Sequence, residues 1–365
     1  MLLVGVAANR RTALLSGAVA AWGGRLAVRD WKTLAGDAGL DALECSARAH
    51  RWCKLDSPGE DAGLTDALVL RGWQLDGERT SAPDPLRAGE LVCGRWWYLG
   101  FADLVSRVAA RLAAVPGLRL LNPAGEILRM VDKFTCQLAL RDAHADVPPL
   151  LGEIAGYDDF DGRFPAADAP RVFIKARYGS SAAGVIALER HRNGRLVAAT
   201  SARFGDDGRV YNHLRVTRHT DRAVVARLVD RIAAQGAYAE RWVPKPRVPG
   251  SRELHHDLRV VAFLGAPRQR IARLSASPLT NLHLGNSRAA PDWHGNVEAV
   301  AVATASARAA AAFPHSHTIG LDVIVRGGVA VVLEANAFGD LLPGLAHEGR
   351  TTYDDQAALV TADER

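Results

Sequence analysis

Long uncharged apolar runs are missing from this 365-residue chain, and with them any membrane helix, which needs about 20 such residues. Even the Ala-rich stretch 297–313 is interrupted by Glu298 and Arg308. Cysteine is scarce, with residues only at 45, 53, 93 and 136, and no two are spaced C-x-x-C. That spacing excludes a disulfide scaffold and a thiol-paired zinc site, so reduced thiols are expected. No G-x-G occurs, which leaves a dinucleotide fingerprint without support, and no G-x-x-x-x-G-K-[ST], H-E-x-x-H or G-x-S-x-G is present. The opening MLLVGVAANRR places its apolar residues before its arginines and lacks a small-residue cleavage pattern, so a cytoplasmic protein is expected. The net charge of +5 is spread along the chain rather than gathered in a run, which implies neither a specific nucleic-acid partner nor a membrane surface. Lysine is rare as well. It occurs only at 32, 54, 133, 175 and 245, among 45 basic residues. Arginine is thus the ordinary surface base, and some of the five lysines should sit where a compact ammonium outperforms a planar fork.

What is present reads as α/β in the first third and as α+β beyond it. An apolar run at 2–8, a helical RTALLSGAVAAWG, a break at Gly23-Gly24 and the strand-like RLAVRDW form a strand, helix, strand opening. A strand is predicted over Trp52–Leu55, ending at the turn Asp56-Ser57-Pro58-Gly59, and helical spacing follows in DAGLTDALVLRGW. After a Pro/Asp-rich loop at 80–90, a helix is predicted over 101–115 and a strand over 118–122. Residues 1–121 therefore form a small open α/β unit. One helix is expected from Asn122-Pro123 through ILRMVDKFTCQLALRDA. Strands are expected at 171–178, 185–190 and 195–202, then a helix at 221–236. Further strands are expected at 237–243, 257–264, 269–276, 319–325 and 329–336, with a helix near 297–313.

Three features carry chemistry. In KARYGSSAAGV, a strand bearing Lys175 runs into a loop with Gly179, Ser180, Ser181 and Gly184, whose backbone N–H groups can close over phosphate oxygens. The plain alternative is a Gly/Ser hairpin with a surface lysine. In IGLDVIV and VAVVLEAN, Asp322 and Glu334 lie five residues before and six after the glycine pair 327–328, and Asn336 shares the face of Glu334 by alternation. Two carboxylates and an amide oxygen converging there suit Mg²⁺, and without a cation the acids would repel. A solvated hairpin face is the alternative. In AERWVPKP, a connection leaving a strand can present backbone groups to an adenine edge with Trp242 or Val243 as an apolar wall, or it is a plain crossover.

Together these residues resemble the ATP-grasp superfamily, in particular the branch of glutathione synthetases and ribosomal-protein glutamate ligases, over about 122–345. The resemblance implies an ATP-grasp fold preceded by an open, Rossmann-like α/β domain. The expected units are 1–121 (N-terminal), 122–238 (the small lid subdomain with the phosphate loop) and 239–365 (the C-terminal core with the metal site). It implies that Lys133 and Lys175 bind ATP phosphates with Gly179, Ser180 and Ser181, and that Arg241-Trp242-Val243 is the adenine hinge. It also implies Asp257 at the ribose, Asn281 beside the phosphates, and Asp322, Glu334 and Asn336 on Mg²⁺ or Mn²⁺. Two positions depart from the pattern. The hinge position commonly held by Glu is Arg241, with Glu240 one earlier, so the adenine contact is largely backbone or shifted by one. An arginine usually two residues before Asn281 is Leu279, and Arg273 is the candidate to supply that charge. The implied activity is an ATP-dependent carboxylate–amine ligation through an acylphosphate, with Arg273 and Lys175 in catalytic roles, on an amino acid, small molecule or peptide. A homo-oligomer is compatible with it. A kinase-like phosphoryl transfer and a non-catalytic ATP-binding scaffold are the alternatives. The turn Leu342-Pro343-Gly344 with Gly339 and Asp340, and the loop after Asp56, are expected near the acceptor.

Overall fold

The computed structural model describes residues 1–59, 61–77, 81–91, 94–179, 182–280, 286–338 and 341–362, with Leu214 as backbone only. The first unit contains β1 (Leu2–Gly5), α1 (Arg10–Ala21), β2 (Ala27–Asp30), α2 (Asp37–Ala47), β3 (Trp52–Leu55), α3 (Ala62–Asp76), α4 (Gly94–Ala113) and β4 (Arg119–Leu120). Its strands are parallel in the order β2-β1-β3-β4. The chain adds β2 on one side of β1 and β3 on the other, a switch point at the carboxyl ends of these strands. Helices α3 and α4 meet backbone to backbone. A Cβ on Gly72 would lie 1.7 Å from the Trp96 carbonyl, and one on Gly100 2.0 Å from that of Leu68. The contact thus requires glycine on both helices.

The long helix expected after Pro123 is instead two: α5 (Ala124–Val131) and α6 (Lys133–Asp142). Asp132 breaks it, with φ −79° and ψ 97°, because its carboxylate caps α6 by accepting from the Thr135 N–H and hydroxyl. The break makes Lys133 the first residue of α6, where its N–H donates to the Arg177 carbonyl instead of continuing a helix.

There follow β5 (Leu150–Ile154), α7 (Tyr157–Arg163), β6 (Arg171–Ala176), β7 (Val185–Arg190), β8 (Leu196–Phe204), β9 (Val210–His219), α8 (Arg222–Ala233) and β10 (Ala237–Arg241). The six strands form an antiparallel sheet in the order β5-β10-β6-β7-β8-β9. Val225, Leu228 and Val229 of α8 pack on Ile174, Ile186 and Leu188, so alternation leaves Phe173 and Lys175 on the other face. β9 carries no apolar alternation strong enough to be predicted, its residues 212, 213, 215 and 218 being Asn, His, Arg and Arg.

The last part comprises β11 (His255–Phe263), β12 (Ala266–Ser275), β13 (Ser287–Ala289), α9 (Asn296–Ala312), β14 (Thr318–Arg326), β15 (Val329–Asn336) and α10 (Thr352–Ala362). Its sheet runs β13-β12-β11-β14-β15. Cys136 and Leu140 of α6 and Ala305 and Ala309 of α9 cover Leu258, Val260, Leu321, Val323 and Val332. The unit ends differ from those expected. β10 belongs to the middle sheet, so a cut at 238/239 would bisect a strand. α6 packs on the third sheet. α10 packs against α1 and the first sheet through Tyr353, Ala357 and Val360. No described helix is long and apolar enough to cross a membrane.

Candidate active site

The polar face of the third sheet collects the predicted metal ligands. Gly327 and Gly328, both at positive φ (58° and 76°), close the β14–β15 hairpin, which pairs Asp322 with Glu334 and Gly320 with Asn336. A bulge beside Asp322 places Leu333 as an extra residue in β15, since Val323 pairs with Val332. That residue changes the phase of the strand. Ala330 and Val332 point into the core, whereas Glu334 and Asn336 face the opposite side with Asp322. The Gln137 side chain of α6 donates to the Leu333 carbonyl and holds the bulge.

Each acid meets a base. Lys133 forms an ion pair with Glu334, whose other oxygen accepts from the Asn336 amide at 3.1 Å. Burial alone would raise the Glu334 carboxyl, but the Lys133 ammonium overrides it and holds it well below the usual range. Asp322 lies 2.7 Å from Arg259 Nε and 3.1 Å from an Arg273 terminal nitrogen, yet burial, with Glu334 adding to it, keeps its carboxyl above its ordinary value. Arg273 also donates to Asp257 Oδ1 at 2.7 Å. Asp257 is 1% exposed and accepts from Thr280 and Arg273, with Lys245 at 3.0 Å. Burial would raise its carboxyl too, and the two cations bring it far down. The residue expected at a ribose is thus enclosed by its own protein's cations.

On the middle sheet, Lys175 of β6 lies 2.5 Å from Glu240 of β10, which is buried and keeps one carboxylate oxygen without a hydrogen-bond donor. Arg241 turns outward, its guanidinium on the Asp168 carbonyl at 2.7 Å. Its N–H pairs with Pro149 and that of Trp242 with Arg171, which leaves only the Val243 N–H of the hinge outside sheet pairing. The Trp242 ring packs on Phe173, centroids 5.1 Å apart. Gly179 is exposed at the end of the Lys175 strand, while Ser180, Ser181, Asn281, Gly339 and Asp340 lie outside the described residues. Arg177 ties the two lysine-bearing elements together. It is bidentate to Asp132, immediately before Lys133, while its chain continues from β6.

No family model matches the chain, and no curated protein matches it in sequence. Solved structures match it along its length. D-cycloserine synthetase DcsG superposes with a TM-score of 0.58 at 15% identity, covering 100% of this chain and 99% of that one. The ATP-grasp ligase PsnB, complexed with a phosphomimetic variant of its minimal precursor, Mg and ADP, gives 0.54 at 15%, with 100% and 98% covered. The macrocyclase MdnC from Microcystis aeruginosa MRC, bound with the precursor peptide MdnA, gives 0.55 at 11%, with 99% of each covered. The chain has the ATP-grasp fold.

Within this ATP-grasp fold the donor set suits a hard cation. Although Asp322 Oδ1 and Arg259 Nε are close, they are misaligned, so this buried oxygen has no hydrogen-bond donor and keeps a lone pair free for a cation. Among the described residues no three His, Cys, Asp or Glu side chains gather, and the set is two carboxylates plus one amide. Sequence reasoning missed Arg259, Lys245 and the role of Glu240. Arg259 had a signal, since residues two apart on β11 share a face and Asp257 was already singled out. Lys245 was visible only as one of five lysines.

Proposed function

We propose that this protein is an ATP-dependent carboxylate–amine ligase that forms an amide through an acylphosphate, acting on an amino acid, small molecule or peptide. The observation that carries the reading is the convergence of Asp322, Glu334 and Asn336 with Lys133, Arg259 and Arg273 on one sheet face, opposite Lys175. Each lysine is neutralised by a glutamate, which keeps the cluster from self-repulsion, and ATP phosphates would compete for the same ammonium groups. Lys133 and Lys175 hold those phosphates, Gly179 opens the loop over them, and Val243 and Trp242 border the adenine. Asp322, Glu334 and Asn336 would hold Mg²⁺, or Mn²⁺ in its place, which when bound supplies charge neutralisation between phosphate and carboxylate oxygens. Arg273, fixed by Asp257 and Asp322, stabilises negative charge developing as the substrate carboxylate attacks the γ-phosphorus. Excluding water protects the acylphosphate until an amine replaces phosphate at its carbonyl carbon. A cytoplasmic setting fits the free thiols of Cys45, Cys53 and Cys136.

The test is mass-resolved turnover of ATP with Mg²⁺ and a pool of amino acids and short peptides. ADP with a product one water lighter than its two parents is the expected result. ADP with a stable phosphorylated product and no amide would replace ligation by phosphoryl transfer, and tight ATP binding without turnover on any pool would favour a scaffold.

A further inference from the structure

The far end of the middle sheet carries a second group of cations. Val185 at the start of β7 stands opposite Lys175, and Arg190 ends the same strand about 17 Å further on. There a cavity of about 190 Å³ lies between the β7–β8 turn, the segment after α7 and the first residue of α8. Arg190, Arg192, Arg195 and Arg222 line it, and Asp161 is the one carboxylate among its lining residues. Arg190 is 5% exposed and lies over Phe160, its guanidinium carbon 4.4 Å from the ring centroid. Its terminal nitrogens donate to Asp161 Oδ1 at 2.7 Å and to the Phe164 and Ala169 carbonyls, and its Nε–H is buried without an acceptor. Asp161 Oδ2 accepts from Arg222 at 3.2 Å, so one carboxylate serves two guanidiniums. The turn at 191–195 is closed by the His191 N–H on the Arg195 carbonyl at 2.8 Å, with Gly194 at φ 82°. It presents Arg192 and Arg195, both exposed, and among the described residues neither side chain has an ion pair or a hydrogen bond. Four positive charges thus border one cavity with a single negative charge to offset them.

We infer that this cavity binds a small phosphate-bearing anion. A guanidinium fork pairs two N–H donors with two oxygens of one phosphate. A phosphate brings nearly two negative charges on one compact centre, where a carboxylate brings one, so it answers the surplus of charge in little space. Pockets that enclose larger ligands start at about 300 Å³, so this one takes a group of phosphate or pyrophosphate size and cannot enclose a nucleotide. Arg192 and Arg195 supply the free donors. Arg190 and Arg222, fixed through Asp161, supply the standing positive field behind them. A bound anion would tie the β7–β8 turn to the start of α8. The site stands apart from Lys133 and Lys175 and does not rest on the ligase reading.

The test titrates phosphate, pyrophosphate and citrate into the full chain by calorimetry, with ionic strength held constant by NaCl. It compares the wild type with the double variant Arg192→Gln/Arg195→Gln and with Lys133→Met. Both arginines are exposed and unpaired, so the double variant should fold as the wild type does, within about 0.5 kcal/mol per site. Pyrophosphate should bind the wild type, and that binding should survive in Lys133→Met, which alters only the phosphate lysine of the other site. In the double variant its Kd should rise by about tenfold or more. No binding of pyrophosphate or phosphate to the wild type, an unchanged Kd in the double variant, or a loss seen only in Lys133→Met would overturn the site. Citrate bound more tightly than pyrophosphate would overturn the choice of phosphate.

Discussion

The two lysine–glutamate pairs of the cleft differ in what surrounds them. Lys175 and Glu240 belong to adjacent strands of one sheet, and Glu240 is almost wholly covered, its side chain 2% exposed. Lys133 and Glu334 join a helix to a strand, and the Glu334 side chain is 26% exposed within a series of charges that runs through Arg259, Asp322, Arg273, Asp257 and Lys245. In the first pair Lys175 leaves a buried carboxylate behind if it turns to a ligand. The second is open to exchange, since either partner can turn to a neighbour or to a ligand. One ion-pair chemistry thus sits in two surroundings, a glutamate fully enclosed on the middle sheet and one partly open to water on the third.

The sharpest way to test that contrast is Glu334→Gln, which keeps the shape and removes one charge. Turnover should fall by about a thousandfold or more, while the melting temperature stays within a few degrees. Near-normal turnover would remove Glu334 from the site. On the middle sheet a loss of stability should accompany the loss of phosphate binding. Lys175→Met strands a buried carboxylate and should cost about 3–5 kcal/mol in chemical denaturation, largely restored by adding Glu240→Gln. Lys133→Met should cost nearer 1 kcal/mol, because the partly exposed Glu334 keeps water and nearby Arg259. Equal losses in the two lysine variants would erase the distinction.

Smaller effects come from the groups between and behind the pairs. Arg177→Met releases the tie between the two lysine-bearing elements and should raise the KM for ATP by about tenfold with less change in kcat. Loss in kcat alone would argue against a positioning role. Behind the third sheet, His256 meets His294 with Nε2 atoms 3.3 Å apart, and burial, then His294, lowers the His256 imidazole to about 4. A folded value below the unfolded one, about 6.5, means that the unfolded chain binds the proton more readily. This stability is complete above pH 6.5 and is lost as pH falls toward 4, on the order of 2 kcal/mol. Denaturation midpoints of His256→Gln should depend less on pH across that window. A wild-type slope unchanged by the substitution would discount the histidine pair.

Much of this was legible because it is local. The Trp52–Leu55 strand coincides with β3, and the glycine pair placed Asp322 opposite Glu334 as expected. The order of the two lysines, the hinge and the D…E-x-N residues along the chain was enough to suggest the fold, because each depends on residue type and short spacing. The break at Asp132 was hidden, since ILRMVDKF keeps helical spacing and only contact with Arg177 and the cap on Thr135 favours two helices. The charge partners were hidden for the same reason. Lys175 and Glu240 are 65 residues apart, and Lys133 and Glu334 are separated by 201.

By itself the sequence determined which residues can do chemistry here: a few lysines in an arginine-rich chain, two acids and an amide on a tight hairpin, and a glycine-punctuated strand end. Tertiary structure alone decided which way they face. Strict alternation along β15 would have sent Glu334 to the core side with Val332, and it is the extra residue Leu333, held by Gln137 of a distant helix, that turns it to the site. Side-chain direction in a strand has a period of two, so one bulge reverses it, and whether a bulge forms depends on partners that local spacing does not contain.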